Sequence, residues 1–505
     1  MARRAPPLMS IVLDLSKPPF ATVIGATSAA IHPRNRRRSL KPPNSITVMR
    51  PAATQCSVRQ LKVEEFQIKL DQRLAFSTPP RPTNPIKKEG RVLYPIGYGA
   101  DPTGGGDSSG AIAEALGDGV KMHRDGAELL PGIRDLGGLV IDFQGGDFKI
   151  SSPIVFPPAI GNLVVQSGSL RASDVFPGNR HLIELEDKDN TGVTRYEDVT
   201  FRDILFDSSF RGGGIKVVDS VRIRVTNCFF LHFTTQGILA RHGHETFVSN
   251  TFLGQHSTVG GSADEKGFSG TAIDLDSTDN AVTDVAIFSA AIGVVLRGQS
   301  NVITGVHCYN KASVYGGVGI LVRAAQNRIS NCYLDYNSIV VEDPSWVHIT
   351  NGYFLGGANV VLKSVLGCVS GLNVVNNMFI NGDPNHMVPI VQIDGVFKNV
   401  SQVVVDHNSV KGMSMKSTVG KMTVAGNGTK WVADFSPVLV FPDQISHFQH
   451  SFYCKQGLDG GFPRHAVTNI SSNVVVVESE KAIDALVSVF VDQNNMFGEG
   501  ISLVD

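Results

Sequence analysis

From about residue 137 the chain is a succession of short apolar segments divided by Gly, Asn, Asp and Ser, and two motifs recur along it. Asn-x-aromatic triplets stand at Asn227-Cys228-Phe229, Asn250-Thr251-Phe252, Asn331-Cys332-Tyr333 and Asn351-Gly352-Tyr353, with 23 residues between the first two and 20 between the last two. A small residue opening an alternating apolar strand recurs at Gly237 to Ala240, Thr271 to Asp276, Gly293 to Arg297, Gly319 to Arg323, Ser338 to Glu342, Asn359 to Lys363 and Ile390 to Asp394. A unit of this length cannot bury its apolar face alone, so stacking is required, and the period of two makes each unit a turn of sheet. Ahead of the repeats, Tyr98-Gly99-Ala100-Asp101-Pro102-Thr103-Gly104 reads as a turn, and Asp107 or Ser108 is placed to cap a short amphipathic helix through Ala111 to Leu116. That helix covers the open end of the first coil. The expected fold is all-β: a right-handed parallel β-helix over residues 91–430 with a short N-terminal capping helix. The longer β runs Trp431 to Phe441 and Asn473 to Glu478 then predict a small C-terminal β cap over 431–505.

Stacked coils place equivalent residues about 4.8 Å apart, so Asn227, Asn250, Asn331 and Asn351 read as turn or ladder asparagines, and Cys228, Cys308 and Cys332 as small buried hydrophobes. Six cysteines without a Cys-x-x-Cys pair make neither a disulfide framework nor a metal site, and no cofactor is expected. A formal net charge of −1 provides no field to collect nucleic acid, and no apolar run is long enough to span a membrane. Residues 1–90 hold 12 of the 25 prolines and the cluster Arg36-Arg37-Arg38 without periodicity, which marks a disordered or targeting arm. Its apolar stretch from Met9 to Ile31 is broken by Asp14, Lys17, Pro18 and Pro19. Asn399-Val-Ser, Asn427-Gly-Thr and Asn469-Ile-Ser are candidate glycan acceptors and lean towards secretion. A monomer is expected.

Aligning the rungs on their inward residues leaves an outward charged column, Arg241, Asp276, Arg297, Arg323, Glu342, Lys363, Asp394 and Lys416. Two residues earlier runs the column Leu239, Asp274, Val295, Leu321, Val340 and Val361, in which Asp274 is the only acid. Asp274 and Asp276 share one face of one strand with Cα atoms about 6.6 to 6.8 Å apart. That spacing overlaps the roughly 6.5–9.5 Å between the carboxyls of inverting glycosidases. Arg241 and Arg297 flank Asp276 and keep it ionised, whereas Leu239 and Val295 flank Asp274 and favour its neutral form. Asp274 is thus the candidate acid and Asp276 the candidate base. The remaining cations, Arg241, His244, Arg297, Arg323 and Lys363, are candidate ligands for the carboxylates of an acidic polysaccharide. His242, Glu245 and Asp279 form a candidate supporting shell, and the polar loop His256 to Glu265 is placed to close over a substrate. His242 and His244 lack a third ligand, so no metal is assigned. A charged stripe of alternating sign is also what an ordinary solvated sheet presents.

The turn at Tyr98 to Gly104, Phe201 to Gly214, His242-Gly-His-Glu-Thr246, Phe252 to Gly261 and Gly305 to Lys311 resemble the divergent plant polygalacturonases of the quartet type, from about residue 92 to the end. The resemblance implies a pectin lyase-like β-helix, secretion to the cell wall, and hydrolysis of α-1,4 galacturonan around developing pollen. Ordinary polygalacturonases carry Asn-Thr-Asp, Asp-Asp, Gly-His-Gly and Arg-Ile-Lys, none of which occurs here. Asp274 and Asp276 are therefore read from the strand and not from the family. Two other readings stay open: a calcium-dependent pectate lyase using Asp274, Asp276, Asp279 and Arg297, and a pectin-binding wall protein without turnover.

Overall fold

The computed structural model describes residues 86–122, 126–189, 192–255, 270–309, 317–383, 387–455 and 461–496. The proposed arm before residue 86 and the loop His256 to Glu265 lie outside them. Within the described chain, parallel strands wind into a right-handed β-helix of three sheets. Sheet 1 stacks His181–Leu185, Gly213–Val221, Gln236–His244, Thr271–Thr278, Ile292–Leu296, Val318–Val322, Ser338–Glu342, Val360–Lys363 and Val391–Asp394. Sheet 2 runs from Arg224–Thr226 to Val404–Asp406, and sheet 3 from Phe229–Leu231 to Ser409–Lys411.

The corner between sheets 2 and 3 is two residues long in every coil from Arg224–Thr226 onward. Its first residue is left-handed throughout: Asn227, Asn250, Asp284, Gly305, Asn331, Asn351, Asn376 and His407. Asn and Asp tolerate that conformation better than other side chains, which explains the recurring triplets. The stacked amide ladder is built by other asparagines, at the corner between sheets 1 and 2. Asn280 Nδ2 donates to Asn301 Oδ1 at 2.7 Å, and Asn301 Nδ2 donates to Asn327 Oδ1 at 2.9 Å. The same oxygens accept the backbone N–H groups of Asn280 and Asn301, so each fully buried amide satisfies the coil below it. Asn301→Ala should cost about 1–3 kcal/mol by leaving the donors of Asn280 unmatched. Urea unfolding would read this as a lower midpoint, and an unchanged midpoint would show that the ladder contributes nothing.

Apolar side chains from all three sheets fill the interior, with Phe206 stacked on Phe230 at 4.6 Å and Phe354 on Phe379 at 4.4 Å. Cys228, Cys308 and Cys332 are buried in this core. The N-terminal end is closed by the helix α1, Ser109–Val120, whose Ile112, Leu116 and Val120 join the core. Ser108 holds the cap position, but Asp107 supplies the hydrogen bonds, accepting from Ser109 N at 3.1 Å and Ser109 Oγ at 2.6 Å. Burial alone would push the Asp107 carboxyl up; the donors Ser109 and Ser151 outweigh it and hold it below its ordinary value.

At the other end, Val419–Asp434, His447–Cys454, His465–Ser471 and Val474–Asp492 form an antiparallel sheet. Trp431, Phe435, Val475, Val477, Val487, Val489 and Val491 make its core. Its first strand runs straight through residues 430 and 431, where the change of pattern in the sequence was placed. Gly426 and Gly428 interrupt the alternation there, so the run looks shorter than it is. Val440 and Phe441, in the connection after the first strand, belong to the core of the β-helix, so this connection packs against the last coil. Lys416 does not join the charged column of sheet 1; its Nζ donates to Leu439 O at 3.2 Å, and burial pushes its ammonium below the ordinary lysine value.

Candidate active site

The outward residues of sheet 1 stack in the register that the period of two requires. Leu239, Asp274, Val295, Leu321, Val340 and Val361 form one column, and Arg241 faces Asp276 as Glu342 faces Lys363 and Lys363 faces Asp394. Lys216 extends the first column towards the N-terminus beside Leu239.

The pairing across this face differs from the sequence expectation in one respect. Arg297 follows its strand and bonds backbone to backbone with Leu275, which puts it level with Asp276, yet its side chain reaches back along the sheet to Asp274. Nε donates to Oδ1 at 2.8 Å and Nη2 to Oδ2 at 3.1 Å, a two-point fork. Asp274 is 5% exposed, so this is a buried carboxylate gripped by a guanidinium that stays partly in solvent. The hydrogen bond to Asp274 raises the Arg297 guanidinium above its ordinary value against the opposing effect of burial. Asp276 is 39% exposed and has a looser partner, Arg241 Nε at 3.5 Å. Arg323 and Lys363 share one acid, Glu342, at 3.1 and 3.2 Å. The cations assigned to substrate carboxylates are thus held in a lattice of ion pairs along the face.

His242, His244, Glu245 and Asp279 lie where the strands of sheet 1 bend towards sheet 2. Glu245 and Asp279 take the same left-handed corner position in successive coils. Arg222 occupies that position one coil earlier and bridges Glu245 at 3.4 Å and Glu197. His244 Nδ1 is 3.5 Å from Glu245, and Thr278 Oγ1 donates to Asp279 at 2.8 Å.

A second charged group, absent from the sequence reading, occupies the first coils of the same sheet. Glu184 is buried and accepts from Arg180 Nε at 2.7 Å, Lys216 pairs with Glu186 at 2.7 Å, and His181 is buried beside them. Burial, helped by Lys216, lowers the His181 imidazole to about 4 despite the attraction of Glu184. The unfolded chain therefore takes up a proton near pH 6.5 that the folded chain refuses until about pH 4. Stability linked to His181 is complete above about pH 6.5 and is lost as the pH falls towards 4, at up to about 1.4 kcal/mol per unit. Urea midpoints measured at pH 7 and pH 4.5 should fall less for His181→Gln than for the parent chain, and an equal fall would remove His181 from the account.

No family model matches the chain. Over 428 residues, 83% of this chain and 88% of the relative, it is 49% identical to polygalacturonase QRT3 of Arabidopsis thaliana. Among solved structures it is similar to the A-module of the Azotobacter vinelandii mannuronan C-5 epimerase AlgE6, at 11% identity over 63% of this chain and 98% of that one, with a TM-score of 0.43. It is also similar to the tailspike protein of E. coli bacteriophage HK620, at 12% identity over 84% and 99%, with a TM-score of 0.47. With half its residues matched over most of both sequences, the chain belongs to the polygalacturonases of the quartet type.

Proposed function

We propose that this chain hydrolyses α-1,4-linked galacturonan in the plant cell wall, with inversion, on the outer face of sheet 1. The observation that carries the reading is the placement of Asp274 and Asp276 two residues apart on one strand, among arginines of the neighbouring coils. The polygalacturonase name of the relative supports the substrate class.

Asp276, half-exposed and loosely paired, activates the attacking water. Asp274 protonates the leaving oxygen. A carboxylate gripped at both oxygens has no proton to give, so the fork must first open, and an acidic sugar brings the means. A uronate carboxylate competes for Arg297; once Arg297 turns to it, Asp274 stands released between Leu239 and Val295 and can take up the proton it delivers. Arg241, Arg323 and Lys363 bind further carboxylates along the axis, each exchanging a protein partner for a substrate one.

The test is incubation of the full chain with polygalacturonic acid, following reducing ends, ultraviolet absorbance and the anomeric proton of the first product. Reducing ends of β configuration without absorbance support inverting hydrolysis. Absorbance from an unsaturated product would make it a lyase, and binding without either signal would make it a wall-binding protein.

A further inference from the structure

Asp219 is a buried charge with little pairing. Its side chain is 4% exposed, and among the described residues its Oδ2 has no hydrogen-bond partner. Carboxylates so buried are ordinarily paired. The neighbouring cations are engaged elsewhere, Arg222 with Glu197 and Glu245, and Arg241 with Asp276. The group that faces Asp219 is His242 on the next coil, whose Nδ1 lies 3.6 Å from Oδ1 while 56% of its side chain is open to solvent.

The backbone is bent to bring the two together. Asp219 and His242 both have φ near 50°, three residues ahead of the left-handed corner residues Arg222 and Glu245. The next three coils have a single left-handed residue at this corner, Asp279, Ser300 and Gln326, and the double bend returns at Asp343 and Trp346. The pairing of Gln236–His244 with Thr271–Thr278 shifts register between Arg241 and His244, which is a bulge of the kind that re-aims a side chain at the edge of a site. Gly243 makes the bend feasible: its φ is 104°, and a Cβ there would sit 2.2 Å from Ser220 O. The residue before the bend, Arg241, is the ladder partner of Asp276.

We propose that His242 is a sugar-binding residue of this face, with Asp219 as its positioning residue. At 3.6 Å the pair lies just beyond hydrogen-bond reach, and a small turn of the exposed imidazole lets Asp219 accept from Nδ1–H; this fixes the tautomer and leaves the Nε2 lone pair as the acceptor for a sugar hydroxyl. The assignment rests on the polyuronate reading above and adds a hydroxyl contact to the ion pairs along this face.

Two measurements on the full chain test it separately. In nitrogen-15 spectra of histidine-labelled protein, the signal lost in His242→Gln identifies His242. It should report the Nδ1–H tautomer in the parent and the Nε2–H tautomer, which an unpaired histidine side chain prefers, in Asp219→Leu. An Nε2–H tautomer in both would overturn the pair. By calorimetry, polygalacturonate should bind about tenfold more weakly to His242→Gln and to Asp219→Leu, and no more weakly to the double variant than to His242→Gln. Parental affinity in His242→Gln, a change at an exposed side chain that does not threaten folding, would overturn the sugar-binding role. If the parent binds no polygalacturonate, the functional reading fails, and the tautomer alone decides whether Asp219 orients His242.

Discussion

Asp276→Asn should reduce the release of reducing ends from polygalacturonic acid by about 10² to 10⁴-fold, the range that one positioned proton-transfer group supplies. The amide keeps the shape and the reach of the side chain but cannot take a proton from water. The loss should therefore fall on turnover, with affinity for the polymer nearly retained, because Arg241 contributes little attraction at 3.5 Å from a half-exposed acid. Steady-state rates and separate binding measurements on the same variant distinguish the two. Undiminished turnover would remove Asp276 from the chemistry and, with it, the pair.

Arg297→Ala should be among the most destabilising single changes on this face, by about 3–5 kcal/mol, because it strands the buried carboxylate of Asp274. The sign is instructive when compared with the double variant. Removing both groups, as in Asp274→Ala with Arg297→Ala, takes away the unpaired charge together with the pair and should recover much of the loss. Equilibrium unfolding of the four proteins completes the cycle. If Arg297→Ala alone is harmless, Asp274 finds water or another partner, and the fork is ornamental to stability.

The rungs of sheet 1 were legible because each strand opens on a small residue and alternates cleanly, so that Leu239, Asp274 and Val295 could be stacked by inspection and are stacked in the structure. The direction of the Arg297 side chain was not. Register places a Cα, whereas an arginine spans two residues along a strand, and burial of Asp274 decides which of two acids it grips. Asp219 carries a signal in its spacing: it lies 23 residues before His242, as Asn227 lies before Asn250, so sliding the sequence by one coil sets the acid beside the imidazole. The ladder of Asn280, Asn301 and Asn327 was hidden for the opposite reason, since its intervals of 21 and 26 residues follow no fixed coil length.

Those unequal intervals bear on how such a molecule can be altered. The corner between sheets 2 and 3 never departs from two residues, while the connection from sheet 3 back to sheet 1 ranges from 2 residues between Asp335 and Ser338 to 16 between Gly254 and Thr271. Hydrogen bonding from coil to coil takes no account of what is inserted at that third corner, because every strand finds its partner in the coil below and not along its own chain. The scaffold behaves as a spool with one edge open for additions. Foreign peptides grafted between sheets 3 and 1 should leave the stacking intact, whereas a single residue added after Asn227 or Asn250 would break the two-residue turn and disturb the pairing of that coil with its neighbours.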